Sequence, residues 1–250
     1  MKTKLPGKNE FFDINKLPAE EGILLFPFSM SKLSNGHSPT QVIKDLQFFS
    51  EKKIAFPKVG ANFIYADFLY LFSNEKASTL KKKYTEMIWS HSNALKNLIH
   101  KNRKLFQIQH AFSFMTWSQL YLLSQDFQRR FDSLKKIYKE DKLFQKYIKE
   151  DAQVFGQKVN ENQINFFLEE NLLTYLILKG QIKLPNEYIQ GREKWILFCY
   201  PGNLVKSFVY MLQKNFFDLP QVQKYEGYYN LEKKKFMDYH NVDLETYSVK

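Results

Sequence analysis

Ser29 is the first residue of this chain placed to do chemistry. It follows GILLFPF (22–28), a nearly continuous apolar run that reads as a buried strand. A hydroxyl delivered by a strand end is well placed to act as a held nucleophile. Ser31 and Ser34 compete with it in the same FSMSKLS turn, where a serine can equally cap or hydrogen-bond the backbone. No GxSxG elbow surrounds it, which argues against an α/β-hydrolase.

A pair of carboxylates is the second signal. Residues 160–179 read as a helix that is apolar around most of its circumference, yet Glu169 and Glu170 sit in its middle. A buried carboxylate is costly unless it is paired or holds a cation. Glu170 follows Phe166 by one helical turn, so the two share a face. One Glu reaching solvent while the other pairs with a Lys would also satisfy the pattern. Tyr200 ends the apolar run WILFCY (195–200) and could donate a hydrogen bond there, or simply pack. Cys199 points to the opposite sheet face and reads as a small buried hydrophobe.

Charge is the third signal. From Asn74 to Lys104 there are eight Lys/Arg against two acids, and residues 126–151 add a second Lys-rich helix. Lys82, Lys96, Arg103 and Lys104 fall opposite the apolar stripe of a helix over about 75–101, provided that it reaches so far. With a net charge of +11, this favours a surface that tracks phosphates. No RRM, KH or zinc module is evident, so such recognition would be by shape and backbone.

These residues need a scaffold, and the periodicity supplies one. Strand patterns at 22–28, 62–67, 105–112 and 195–200 alternate with helical patterns at about 38–50, 75–101, 126–151, 160–179 and 201–212. Ser38-Pro39-Thr40-Gln41 is a helix start, with an N-cap, a proline at the first helical position and a capping-box Gln. Pro201-Gly202-Asn203 reads as the cap of the helix after the last strand, and 180–194 as a loop. One or two strands are expected in the last 35 residues. The order β-α-β-α-β-α-α-β-α implies an α/β fold with a mostly parallel sheet flanked by helices. In such a sheet the ligand sits beyond the carboxyl ends of the strands, where Ser29, Asp67 and Tyr200 would gather.

Composition sets the limits. The 250 residues are 44% hydrophobic and 25% charged, which excludes a largely disordered chain, a collagen-like chain and a coiled-coil rod. The single cysteine excludes an internal disulfide and a Cys-rich zinc site. The five histidines form no metal-binding pair, and no GxxxxGK[ST] or GxGxxG loop is present. No metal or cofactor is expected. MKTKLPGKNEFF lacks the apolar core of a signal peptide and no apolar run is long enough to span a bilayer, so a cytoplasmic protein with no membrane partner is expected.

Four motifs carry a resemblance to the tRNA-dependent cyclodipeptide synthases: ILLFPFS (23–29), FIYADFLYLF (63–72) followed by the basic helix, INFFLEE (164–170) and ILFCYP (196–201). Their order and spacing, over residues 20–215, carry it. The resemblance implies a single catalytic domain over 1–250; the weak periodicity of the last 35 residues adds an expectation of loose order at 231–250, and loose order is also expected at 1–20. It implies a Rossmann-like sheet similar to the class I tyrosyl- and tryptophanyl-tRNA synthetase core. Pro201 after Tyr200, and Lys32 in place of Asn, resemble the subfamily with Tyr-Pro at this point. The family's helix Tyr falls on Phe166, so that hydroxyl is missing.

The roles implied are these. Ser29 attacks an aminoacyl-tRNA, already an activated ester, so ATP is not needed. Glu170 binds the aminoacyl ammonium and shuttles protons, and Tyr200 orients the aminoacyl group. A second aminoacyl-tRNA supplies the amine, and a dipeptidyl-enzyme cyclises to a diketopiperazine. Leu25, Pro27, Ile64, Ala66 and Phe198 match positions that wall the first side-chain pocket, with Lys32 and Phe166 also at the substrate. Lys82, Lys83, Lys96, Arg103 and Lys104 would contact the tRNA. No obligate protein partner is evident. The alternative is a noncatalytic tRNA- or RNA-binding protein with the same Rossmann-like fold, in which Ser29 is a turn residue.

Overall fold

The computed structural model describes residues 22–52, 59–67, 77–106, 112–124, 126–154, 159–182, 184, 195–220 and 226–249. The elements run β1 (Gly22–Phe28), α1 (Pro39–Glu51), β2 (Val59–Tyr65), α2 (Ala77–Lys101), α3 (Arg103–Phe106), β3 (Phe112–Thr116), α4 (Trp117–Leu123), α5 (Phe127–Glu140), α6 (Lys142–Val154), α7 (Glu161–Leu178), β4 (Trp195–Tyr200), α8 (Lys206–Lys214), β5 (Gly227–Asn230) and β6 (Lys235–Asp238). Short 3-10 turns cover Met30–Lys32 and Tyr239–Asn241.

The strands form one six-stranded sheet in the order β3-β2-β1-β4-β5-β6. All neighbours are parallel except β6, which runs antiparallel to β5. The mostly parallel sheet expected from the sequence is present. The chain builds outward from β1 through β2 to β3, then returns to the other side of β1 as β4. The connections therefore reverse direction between β1 and β4, the place where open α/β sheets bind ligands. Pairing between these strands stops at Leu25 and Phe198. Pro27, which has no N–H to donate, lies just beyond that last pair.

The central strand is apolar on both faces because both are covered. Ile23 and Leu25 pack with Ile64 and Phe198 into a core closed by α4 to α8. Leu24, Phe26 and Phe28 pack with Phe63, Tyr65 and Leu197 into a second core under α1, α2 and α3. Cys199 lies in this second core and Tyr200 packs against the first, the opposite orientation expected from strand alternation. Ser38 accepts from the Gln41 N–H at 3.4 Å and starts α1 at Pro39, and Asn160 accepts from Gln163 at 3.0 Å to start α7.

Several expectations shift. The helix expected over 126–151 is two helices broken at Asp141, whose carboxylate accepts from the N–H groups of Leu143 and Phe144, each at 2.9 Å. The strand expected over 105–112 begins at Phe112 instead. Leu105 and Phe106 belong to α3, and 107–111 lie outside the described residues. The helix after β4 starts at Lys206 and takes no side-chain cap from Val205; its first N–H groups are held by Asp151 of α6. In the tail β6 pairs with β5, and Tyr239 and Leu244 are buried. Residues 1–20 and most of 180–194 lie outside the described residues. Among the described residues no helix is long and apolar enough to cross a membrane.

Candidate active site

Ser29 leaves β1 in an extended conformation (φ −70°, ψ 130°) and opens the turn Met30–Lys32 without lending its side chain to cap it. Its hydroxyl meets only the Ser31 hydroxyl, at 3.0 Å, among the described residues. The turn itself is closed through the backbone, Lys32 N–H to Ser29 carbonyl at 3.0 Å. The serine is half-buried and its oxygen caps no backbone N–H of the turn.

Across the switch point, β4 delivers Tyr200. Its ring stacks with Phe198 at 6.4 Å and meets the His37 ring edge-on at 5.5 Å. Lys32, one turn after Ser29, places its ammonium 4.8 Å from the centre of the Tyr200 ring and donates to the Pro201 carbonyl at 3.2 Å. The Lys32 amine is thus engaged with the Tyr200 strand end. Burial pulls its pKa down, while the Glu232 carboxylate pushes it up. Burial first, and then the carboxylates of Glu170 and Glu232, raise the pKa of Tyr200. No hydrogen bond reaches the Tyr200 hydroxyl among the described residues.

α7 supplies the carboxylates, and their surroundings differ. Burial raises Glu170 to about 8, with the Asp151 carboxylate adding to the shift. Burial raises Glu169 to about 7, opposed by Lys135 of α5. Glu170 therefore stands toward Tyr200 and Asp151, and Glu169 toward α5. No hydrogen bond satisfies the Glu170 carboxyl among the described residues, so its proton is the cheapest way to be neutral in this setting.

The expected pocket residues converge on one face. Leu25, Ile64 and Phe198 are buried in the first core, and Ala66, Phe166 and Tyr200 pack against it. Pro27 is buried two positions beyond Leu25, on the same face of β1. Asp67 does not join them: its carboxylate accepts from the Ser118 N–H at 2.8 Å and from the Ser118 hydroxyl, fixing the start of α4. Lys82, Lys83 and Lys96 on α2 and Arg103 and Lys104 on α3 are all exposed. The helix does not carry through to Arg103. It ends at Lys101, and the Asn102 side chain turns back to the Leu98 carbonyl at 2.8 Å.

Three residues near the site escape sequence reasoning. His37 is buried between Phe28 and Tyr200, and burial lowers its pKa to about 3, helped by Lys32 and His91. His91 is core, as its helix face suggests, but it also bonds the Tyr65 hydroxyl at 2.8 Å and the His37 carbonyl at 2.6 Å. Asn230 of β5 is fully buried and donates to the Gly202 carbonyl at 2.7 Å, holding the turn behind Tyr200. The sequence hints at His91 through its apolar helix face and at His37 only through its place in an NGHSP turn, and for Asn230 it offers none.

No family model and no curated protein matches the sequence. Among solved structures the chain is similar to a CDPS from Staphylococcus haemolyticus, with TM-score 0.52 and 12% identity over 83% of this chain and 89% of that one. It is likewise similar to a CDPS from Fluoribacter dumoffii, with TM-score 0.51 and 16% identity over 80% and 85% of the two chains. A cyclodipeptide synthase from Streptomyces noursei aligns at TM-score 0.48 and 10% identity, over 81% of this chain and 90% of that one. The chain has the cyclodipeptide synthase fold. In that fold the carboxyl edge between β1 and β4 brings together the turn of Ser29, the ring of Tyr200 and the carboxyl of Glu170.

Proposed function

We propose that this chain is a tRNA-dependent cyclodipeptide synthase. The observation that carries the reading is the meeting, at the switch point, of the Ser29 turn, whose serine hydroxyl caps no helix, with the Tyr200 ring that Lys32 of that turn covers, beside the buried Glu170 carboxyl that no hydrogen bond satisfies among the described residues. The fold supports the same reading, and so does the Tyr-Pro pair, which suggests the corresponding subfamily. The domain is taken to span the whole chain.

The Ser29 oxygen attacks the ester carbonyl of an aminoacyl-tRNA. The 3′-terminal ribose hydroxyl leaves with the proton, and an aminoacyl-Ser29 ester remains. The amine of that aminoacyl group attacks the ester of a second aminoacyl-tRNA, whose ribose hydroxyl leaves with the proton, and gives a dipeptidyl-Ser29. The amine brought by the second substrate then attacks the Ser29 ester. The diketopiperazine leaves and the Ser29 hydroxyl is restored. Both esters arrive activated, so no ATP is consumed.

The two attacks that follow the acylation of Ser29 each need a free amine, and here Glu170 has its use. Its pKa of about 8 lies close to the ~7.7–8.0 of an α-amino group. Proton transfer from ammonium to carboxylate is then nearly balanced, the condition under which a general base works best. Tyr200 orients the bound aminoacyl group. Phe166 brings no hydroxyl, so Glu170 and backbone groups hold the amine. The apolar wall of Leu25, Pro27, Ile64, Ala66 and Phe198 takes the first side chain. The basic residues of α2 and α3 hold the tRNA.

The test is mass spectrometry of medium from cells expressing the chain, beside cells expressing Ser29→Ala. Cyclic dipeptides are expected with the wild type alone. Their absence, from a soluble chain that binds tRNA, would favour the noncatalytic RNA-binding reading, which the exposed lysines of α2 alone would satisfy.

A further inference from the structure

Trp89 is 70% exposed on α2. Lys82 and Lys96 lie seven residues before and after it. Seven residues bring a helix round to within ~20° of the same direction. The three side chains therefore leave α2 along one line, each about 10 Å from the next at 1.5 Å rise per residue. Tyr84, Met87, Ile88, Leu95, Leu98 and Ile99 face the other way, into or against the second core. α2 thus needs nothing from Trp89 to dock on the domain.

The surroundings say what a partner must be. Glu86 is the only acid in α2, and no carboxylate pairs with Lys82, Lys83 or Lys96 among the described residues. Lys96 leans over the Phe114 ring of β3, 5.0 Å from its centre, so the positive line meets a second, half-buried aromatic at the sheet edge. Arg103 and Lys104 extend the charge beyond the helix end. A positive helix face with a large aromatic ring between its cations fits a strand of nucleotides, with phosphates on the lysines and a base on the ring. A lipid surface fits less well. Trp89 is the only large hydrophobic exposed on α2 among the described side chains, and Thr85 and Ser90 beside it are exposed and polar.

We infer that Trp89 is a stacking platform for an unpaired base of the bound RNA, held in register by phosphate contacts to Lys82 and Lys96. The inference rests on the tRNA-dependent reading above and adds to it a requirement for unpaired nucleotides at the α2 face. A duplex offers this face only phosphates. A single-stranded end or loop offers both groups.

The experiment uses the full chain, unfractionated deacylated tRNA and a blunt RNA duplex, with binding read by fluorescence anisotropy across a salt series. Trp89→Ala is expected to weaken tRNA binding about 5- to 150-fold, the range for losing one stacked base, with the salt slope unchanged. Trp89→Phe should recover most of the loss. Lys82→Ala should instead lower the slope by about 1. Binding of the blunt duplex should not distinguish Trp89→Ala from wild type. In the free chain, acrylamide should quench a fluorescence component that Trp89→Phe lacks, and tRNA should protect it.

Equal tRNA affinity of Trp89→Ala and wild type overturns the inference and leaves the proposed function standing. So does a Trp89 that acrylamide cannot reach in the free chain. Equal weakening on the duplex overturns it as well, because no unpaired base is then involved. Trp89-dependent binding to phosphatidylserine-containing vesicles without any tRNA binding would replace it with a membrane surface. A chain that binds no tRNA removes the proposed function together with the inference.

Discussion

Lys32 holds its ammonium 4.8 Å above the Tyr200 ring while donating to the Pro201 carbonyl at 3.2 Å. One side chain thus ties the turn behind β1 to the end of β4, across the point where the sheet's own pairing has stopped at Leu25 and Phe198. The closeness of the two strand ends is not left to the backbone alone. Gly36 adds to it from the same turn: a methyl at its Cα would stand 3.2 Å from the Pro201 Cβ.

Lys32→Met tests the tie. Methionine keeps most of the stem and loses both the hydrogen bond and the cation–ring contact. A loss of about 1–2 kcal/mol is expected, the sum of a modest cation–π contact and one hydrogen bond less the relief of a partly buried charge. It should appear in urea unfolding as a lower midpoint with an unchanged slope. An unchanged midpoint would mean that the contact contributes nothing to holding the two strand ends.

Glu170→Gln tests the buried carboxyl. In the folded chain Glu170 titrates at about 8, in the unfolded chain near the ordinary ~4.3. Between these values the folded state keeps a proton that the unfolded state has lost, so stability falls as pH rises through the window. The Gln variant loses that slope. Wild type should therefore lose more stability than Glu170→Gln between pH 5 and 9, measured by thermal melts at fixed ionic strength. Glu169, raised to about 7, slopes in the same sense but over a window that ends earlier. Parallel melting curves for wild type and Glu170→Gln across this range would show that Glu170 has an ordinary carboxyl in solution.

The elements that position the site were legible because their signals are local. Ser38-Pro39-Thr40-Gln41 starts α1 by a bond within four residues, and Asn160 starts α7 in the same way. β1 and β4 announce themselves as apolar runs. What was not legible depends on distance along the chain. The 3.6-residue pattern runs on from Phe131 and Leu134 to Phe144 and Ile148, and it hides the break that the Asp141 carboxylate makes at a single turn. LFQIQHAF alternates as convincingly as FSFMT, yet Leu105 and Phe106 belong to α3, and the described pairing with β2 runs from Phe112 to Thr116. Thr116 and Gln119, which form a capping box for α4 right after it, were the missed signal. Glu232 and Asn230 reach the Tyr200 turn from β5 and its hairpin, a contact that no spacing within either segment records.

Gly202→Ala tests that turn. Gly202 has φ +86°, a conformation disfavoured for a residue with a Cβ. The space is not at issue: an added Cβ would stand 3.6 Å from the Glu232 carboxylate and 3.7 Å from the Lys32 ammonium, ordinary contacts. The cost is in the backbone alone, about 1–2 kcal/mol. Gly202→Asn, a residue that tolerates this region better, should lose less. Denaturant midpoints in the order wild type, Asn, Ala are expected. Equal midpoints for Ala and wild type would show that the turn does not hold this conformation in solution.

Asp151→Ala tests the link between α6, α7 and α8. Asp151 is fully buried and accepts from the N–H groups of Lys206 at 2.9 Å and Ser207 at 2.8 Å, the opening of α8. Ser207 in turn accepts from Asn171 of α7 at 2.9 Å, next to Glu170. Alanine leaves two helix-end donors without their acceptor and removes a charge from the favourable end of the α8 dipole. A loss of about 3 kcal/mol is expected, roughly 6–12 °C in melting temperature for a chain of this size. Asp151→Asn keeps one acceptor oxygen and should lose about half as much. Both variants also remove the like charge that helps to raise Glu170, so the fall in stability at high pH should be shallower in Asp151→Asn than in wild type. An Asn variant with the wild-type pH slope would show that Asp151 acts on α8 alone and not on the carboxyl beside Tyr200.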